Sequence, residues 1–482
     1  MDNNRRFVLK TLASSSMALA GLSACTNNAL TDILVTDAAP VDDWLQAQII
    51  RDSIIVPKFP EKEFNIEAFG AINDGKFDCT SAINDAIQAC HQAGGGKVII
   101  PEGKFFTGAI HLLSNVNLHL ADKAILSFST DPNHYLPAVF TRWEGVEMMG
   151  YSPLIYSYKQ KNIAITGNGT LEGNADNNTW WPWKGPHKEA HWQLIAGEDQ
   201  KPARTQLIQD AEDNVPVQDR KYSEGAFLRP PFIQPYLCEN VLVEGITIKN
   251  SPFWLLNPVL CKHVRVTGVT FLSHGPNSDG FDPESCDHVY IDNCLFDTGD
   301  DCIAIKSGRN ADGRRLATPC ENIVIENCHM KEGHGGVVIG SEISGGVNNV
   351  FVQNCTMDSP YLERAIRIKT NSIRGGLIEH IRVRNIDVGT VKNAIVVNFY
   401  YEKGDIGKFD PTVRDIKIEK LHCKNVLDKA LYLRGFERAP MYDIHLIDCK
   451  FDAVAKPSIV EHVKNFTLTA VFINGKEISN NT

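Results

Sequence analysis

Two short acidic segments carry the residue types that acid–base chemistry needs. Asn277-Ser278-Asp279-Gly280 and Gly299-Asp300-Asp301-Cys302 lie about 21 residues apart. Gly333-His334-Gly335-Gly336 and then Arg367-Ile368-Lys369 follow, each about one coil further on if the chain winds with a period near that step. Alone, an Asp beside Gly is usually a turn residue, and a His between glycines is often only part of a loop. Stacked on one face, the four segments would bring three carboxylates, an imidazole, a guanidinium and an ammonium to one strip. Strand alternation points Arg367 and Lys369 to the same side. Closely stacked carboxylates raise at least one pKa, which leaves an acid protonated near neutrality and an ionised neighbour as base. Glycoside hydrolysis requires that combination.

The elements that would position these residues repeat along the chain. A polar residue followed by alternating aliphatics recurs at Asn162-Ile163-Ala164-Ile165, Asn240-Val241-Leu242-Val243 and His263-Val264-Arg265-Val266. It continues at His288, Asn322, Asn349, His380, Asp415 and Asp443, with steps of about 23 to 35 residues. Each copy reads as a strand with one buried and one wet face. Such steps suit the turns of a right-handed parallel β-helix, all-β in class. Neither the Leu pattern of leucine-rich repeats nor the longer period of propeller blades is present.

The cysteines keep this register. Asn293-Cys294, Asn327-Cys328 and Asn354-Cys355 sit just after consecutive strands. Equivalent positions in stacked coils lie about 4.7–4.9 Å apart. They read as a buried ladder of thiols and amides, with disulfides as the alternative. No paired CxxC spacing supports a zinc site. Thr80 to Cys90 has helical periodicity, ends at Gly94-Gly95-Gly96, and would cap the open first coil. The β-helix is expected over 61–475. Within it, 174–229 loses the repeat and holds four of the seven Trp (Trp180, Trp181, Trp183, Trp192). Exposed, those rings would stack on sugars; otherwise they pack the loop onto the scaffold.

With these residues in hand, the chain resembles glycoside hydrolase family 28, the polygalacturonases. Asn-Ser-Asp, Gly-Asp-Asp, Gly-His-Gly and Arg-Ile-Lys match the family's four signature segments in order, with Ser278 where Thr is usual. Phe69-Gly70-Ala71, Asn73-Asp74-Gly75 and Gly167 to Gly173 fit as well, so the resemblance runs from about residue 64 to 470. It implies an inverting mechanism, with no metal and no cofactor, acting on α-1,4-galacturonosidic bonds of pectin or polygalacturonate. By residue, it implies Asp300 as general acid, Asp279 and Asp301 as holders of the attacking water, and His334 as support for the acid. Arg367 and Lys369 would grip the substrate carboxylate, Asn277 would contact substrate, and Tyr400 or Tyr401 would form a subsite. Lys306, Arg309, Arg314, Arg315 and Arg364 add local positive charge. The run Gly340-Ser341-Glu342-Ile343-Ser344-Gly345-Gly346 resembles bacterial exo-acting members, and the insertion at 174–229 is long enough to close one end of a cleft.

Three other readings stand beside this one. Rhamnogalacturonan hydrolysis belongs to the same family. A pectate lyase would need Ca²⁺ and a basic proton abstractor. A non-catalytic glycan-binding solenoid would not need the acid and base.

Composition sets the wider bounds. With 43% hydrophobic and 22% charged residues, the chain is an ordinary globular composition rather than disordered or polytopic. A net charge of −10 argues against nucleic-acid binding. Residues 1–25 read as an export signal: Arg5-Arg6, a short apolar run, and Leu22-Ser23-Ala24-Cys25, which resembles a lipobox with Cys25 lipidated. Thr26 after that Cys favours outer-membrane sorting. Residues 26–60 are expected to be a tether with a short helix near Trp44. The protein is thus expected to be exported, as a periplasmic protein or outer-membrane lipoprotein. It would meet the membrane only through its lipid and bind an acidic plant or algal wall polysaccharide.

Overall fold

The computed structural model describes residues 42–188 and 190–479. In each repeat, the leading polar residue occupies the left-handed backbone region. Asn162, Asn240, His263, His288, Asn322, Asn349, His380, Asp415 and Asp443 all have φ between 54° and 60°. Asn and Asp tolerate that conformation because their short polar side chains bond locally. The bend turns the chain into a strand whose alternate aliphatics face inward.

Those strands pair in parallel, coil upon coil, to form a right-handed parallel β-helix. One inward column runs Ile163, Val241, Val264, Val289, Ile323, Val350, Ile381, Ile416, Ile444. A second runs Ile155, Ile233, Leu256, Phe281, Ile303, Val337, Ile366, Ile395, Leu431 and belongs to the sheet beneath the cleft. A third wall stacks aromatic rings, with Phe271 and Phe296 parallel at 4.7 Å. Between them lies one continuous apolar core. Helix α1 spans Asp43–Ser53, and helix α2, Thr80–Gln92, closes the first coil with buried Ala82, Ile83, Ala86, Ile87 and Cys90.

The segment from 42 to 54 does more than tether. Outward residues of the repeats are mostly polar, but Tyr290, Val324 and Phe351 are apolar and stack on three successive coils. Helix α1 covers them with Ala47, Ile50 and Ile54. Asp43 pairs with Arg382 at 2.8 Å, and the Arg384 guanidinium lies 3.8 Å over Trp44. The expected export signal, with the expected lipidation site at Cys25, and residues 26–41 lie outside the described residues.

All twelve described cysteines are buried and unpaired. Cys294, Cys328 and Cys355 form one ladder. A second, Cys238, Cys261, Cys286 and Cys320, escaped the sequence reading because no Asn precedes its members. Asn amides stack alongside, as from Asn162 to Asn115 and from Asn349 to Asn322.

Candidate active site

The second inward column explains the site. Asp279 and Asp301 each stand two residues before a column member, Phe281 and Ile303, and Gly335 stands two before Val337. Gly280 N–H donates to the Asp301 carbonyl, and Cys302 N–H to that of Gly335. The neighbouring glycines permit this closeness. A Cβ on Gly280 would lie 2.6 Å from the Cys302 carbonyl oxygen, and one on Gly335 would lie 2.3 Å from a Val338 methyl. Ser278 has a local role, since its hydroxyl accepts from Gly275 N–H and meets the Ser273 hydroxyl at 3.0 Å.

The three carboxyls thereby converge, each offering an oxygen within 4.8 Å of the other two. Asp300 Oδ1 lies 2.9 Å from His334 Nδ1 and accepts from Asp301 N–H at 3.0 Å. Lys369 Nζ reaches Asp301 Oδ2 at 2.5 Å and Arg367 Nη1 reaches Oδ1 at 3.3 Å. Lys306 Nζ lies 3.5 Å from Asp279 Oδ2. Cations of the chain itself thus neutralise the cluster, which suits an acid–base site better than a metal site.

Burial and shared charge split the carboxyls apart. Burial, with the nearby Asp300 and Asp282, pushes Asp279 well above the usual carboxylate range against the pull of Lys306. Burial also raises Asp300 and Asp301, but cations outweigh it. His334, Lys369 and Lys184 hold Asp300 low, and Lys369 with Arg367 holds Asp301 low. One carboxyl is raised, as stacking requires, and it is Asp279 rather than Asp300. Asp300 has its own imidazole at hydrogen-bond distance, whereas Asp279 shares Lys306 with Asp282 and Glu342.

A cleft of about 560 Å³ opens over this cluster. Asp279, Asp300, His334, Arg367 and Lys369 line it, while Asp301 is fully buried just beneath. Asn277 lines it too, its Oδ1 accepting from Lys184 at 2.7 Å and from Arg229 at 2.9 Å. The Tyr401 ring faces both Arg367 and Lys369 within 5.5 Å of its centroid. Tyr400 packs edge-on to Phe436 under Arg434, also at the cleft. Of the extra basic residues, Lys306, Arg309 and Arg364 line the cleft, but Arg314 and Arg315 do not. Arg314 stacks on Phe409 and Arg315 pairs with Glu147 and Asp312.

The insertion forms one wall of the cleft. Its Trp residues are buried, so they fasten the loop rather than offer rings to sugar. Trp181 Nε1 donates to the Ser251 carbonyl, and Trp192 Nε1 to that of Gly185. The polar residues Lys184, His187, Lys188, His191 and Arg204 face the cleft instead, beside the edge of Trp192. Helix α3, Lys201–Glu212, packs with an antiparallel hairpin, Val139–Trp143 and Val146–Gly150, around a second small core. This hairpin turns at Glu144-Gly145, both with positive φ, and it was not legible in the sequence because Glu-Gly is not one of the usual two-residue turn pairs.

An acid, a base and two carboxylate-binding cations in a cleft on a parallel β-helix define a glycoside hydrolase. The chain belongs to glycosyl hydrolases family 28, whose model matches residues 218–479, more than half of its length. It is 40% identical to a hyperthermoactive exopolygalacturonase from Thermotoga maritima, covering 90% of this chain and 97% of that one with a TM-score of 0.86. It is 28% identical over 404 residues to a probable polygalacturonase of Vitis vinifera, across 80% of this chain and 74% of the relative. An exo-poly-alpha-D-galacturonosidase of Dickeya chrysanthemi is 26% identical over 358 residues, across 70% of this chain and 57% of the relative.

Proposed function

We propose that the protein hydrolyses α-1,4-galacturonosidic bonds of polygalacturonate from a chain end, with inversion. The observation that carries this is the Asp279–Asp300–Asp301 cluster, flanked by His334 on one side and Arg367 with Lys369 on the other. Asp300 protonates the leaving oxygen. Its Oδ1 is held by His334 and Asp301 N–H, which leaves Oδ2 for the proton it donates; because cations hold Asp300 ionised in the free cleft, that proton comes from Asp279, which burial keeps protonated, when substrate enters. Asp279, on the cleft floor and ionised by that transfer, and Asp301 beneath it hold and deprotonate the water. Oxygens within 4.8 Å are closer than the roughly 6.5–9.5 Å usual for inversion. Yet Asp279 is only 3% exposed and Asp301 is fully buried, so a water must bridge either one to the sugar.

Arg367 and Lys369 bind a sugar carboxylate, which selects an acidic polymer. The insertion walls the cleft that holds Asp300, which supports admission of a chain terminus rather than an internal segment. The resemblance of Leu22-Ser23-Ala24-Cys25 to a lipobox supports a lipid anchor at Cys25 and a site of action outside the cytoplasm, which labelling with a radioactive fatty acid would test. The functional test is incubation with polygalacturonate and with rhamnogalacturonan, reading products by mass and the first anomer by NMR. Short galacturonides of inverted configuration are expected. Products carrying a new double bond, or release only from rhamnogalacturonan, would overturn the reading.

A further inference from the structure

The mechanism above leaves Lys306 unused, and its surroundings are unusual. Its side chain is buried, with Nζ 3.5 Å from Asp279 Oδ2, 3.2 Å from Asp282 Oδ1 and 3.6 Å from Glu342 Oε2. The same ammonium lies 4.5 Å over the Trp254 ring. Glu342 in turn meets Arg309 at 2.6 Å, Arg309 meets Glu144 at 2.8 Å, and Glu144 meets Arg204 of helix α3 at 2.7 Å. Charges therefore alternate without a break from the insertion, through the hairpin tip, to the floor of the active site.

We propose that Lys306 is a positioning residue for hydrolysis, supplying the cation that favours the ionised form of Asp279, the form that holds the attacking water, and shared between Asp279, Asp282 and the Glu342 end of the Glu342–Arg309–Glu144–Arg204 chain. The proposal rests on the acid–base reading of Asp279 given above. Burial weakens an ammonium, but Asp282, Asp279 and Glu342 outweigh it and hold Lys306 well above its ordinary value, so it stays charged. The other groups facing this point are known. Asp300 and Asp301 repel a charge on Asp279, and Lys369, neutralised by Asp301, lies beyond them. On the preceding coil Glu284 pairs across a bridge with Lys306, its own charge met by Arg142 at 3.2 Å. Arg374 supports Glu342 from 3.8 Å. Among these, Lys306 is the cation within 4 Å of Asp279.

The sign follows directly. A base must be ionised, and loss of a neighbouring cation raises its pKa, so the acid limb of the rate profile moves to higher pH. An opposite charge this close is worth about 1–3 pH units. The experiment is the pH profile of kcat/KM, which reports ionisations of the free enzyme. Polygalacturonate is the substrate, with Lys306→Met, Lys306→Arg and Glu342→Gln compared with the parent. Lys306→Met should move the acid limb up by about 1–3 units, and Lys306→Arg should bring it back. Glu342→Gln removes a competing carboxylate and should move the limb the other way. A change that merely loosened packing would not give opposite shifts. A folded Lys306→Met enzyme whose acid limb overlays the parent's overturns the proposal. Should Lys306→Met not fold, an unmoved limb in Glu342→Gln does the same. Asp279→Asn separates the two levels: if it hydrolyses like the parent, the reading of Asp279 itself fails, whereas if it is inactive and the Lys306 limb is unmoved, only the role of Lys306 fails.

Discussion

At the scale of single residues, chemistry was legible where types and order were distinctive, and hidden where burial decides charge. Asp279, Asp300, Asp301, His334, Arg367 and Lys369 could be placed together from spacing, and the structure brings them within one cluster. What spacing could not give is which carboxyl holds the proton, because that depends on cations at 2.5 to 3.5 Å drawn from other coils. Nor did it reveal Glu144 and Glu342 as links to Lys306. Asp300→Asn should leave folding intact and lower kcat by roughly 10²–10⁴-fold, the usual value of general acid catalysis. Turnover near the parent's in a folded variant would remove Asp300 from the mechanism. The two cations differ in what else they do. Lys369 is the shorter contact to the fully buried Asp301, and stripping one partner from a buried pair costs about 3–5 kcal/mol. Lys369→Ala should therefore lower the unfolding midpoint as well as activity. Arg367→Ala, at the longer contact, should chiefly weaken binding of polygalacturonate, by about 2–5 kcal/mol. Losing either cation also raises the Asp301 pKa, so the acid limb should climb. Equal cleavage of polygalacturonate by Arg367→Ala and the parent would mean the charge is not read at this position.

At the scale of elements, strands were more legible than the parts that wrap them. A two-residue period with a polar lead identifies a coil because the left-handed bend and the buried aliphatics are both local. The docking of helix α1 was not legible, since it depends on Tyr290, Val324 and Phe351, whose outward positions become adjacent only when coils stack. The four Trp of the insertion were ambiguous for the same reason. Their number signalled a packed or sugar-binding loop, and the structure buries them. The wall they secure presents Lys184, His187 and Arg204 to the cleft. A wall there should block an internal segment of polymer. Viscometry then separates the outcomes. Release of short sugars with little early fall in viscosity is expected, and a rapid collapse with mid-length oligomers would show that the cleft is open along its length. Shortening the 186–199 loop, which leaves α3 and its core in place, should shift the products toward internal cuts.

At the scale of the whole molecule, one core serves every coil, and the thiols are part of it. Export to an oxidising compartment would permit disulfides, and stacked coils bring Cα atoms into bridging range. Geometry nonetheless works against a bond. In-register side chains project the same way, so neighbouring sulfurs stay about one coil spacing apart, and each thiol is already directed at a carbonyl. Cys261 Sγ lies 3.2 Å from the Pro235 oxygen, Cys286 Sγ 3.2 Å from that of Pro258, and Cys320 Sγ 3.4 Å from that of Pro283. Burial drives the Cys261, Cys320 and Cys328 thiols well above their ordinary pKa, so the reactive thiolate is scarce. The protein should accordingly unfold at the same temperature with and without reductant. Its described cysteines should resist alkylation until denaturant opens the solenoid, and then label together, because a shared core leaves no coil to expose its thiols alone. Non-reducing peptide mapping supplies the decisive counter-result: a cross-linked Cys261–Cys286 or Cys294–Cys328 peptide in material purified under oxidising conditions would show that the ladder is a set of staples.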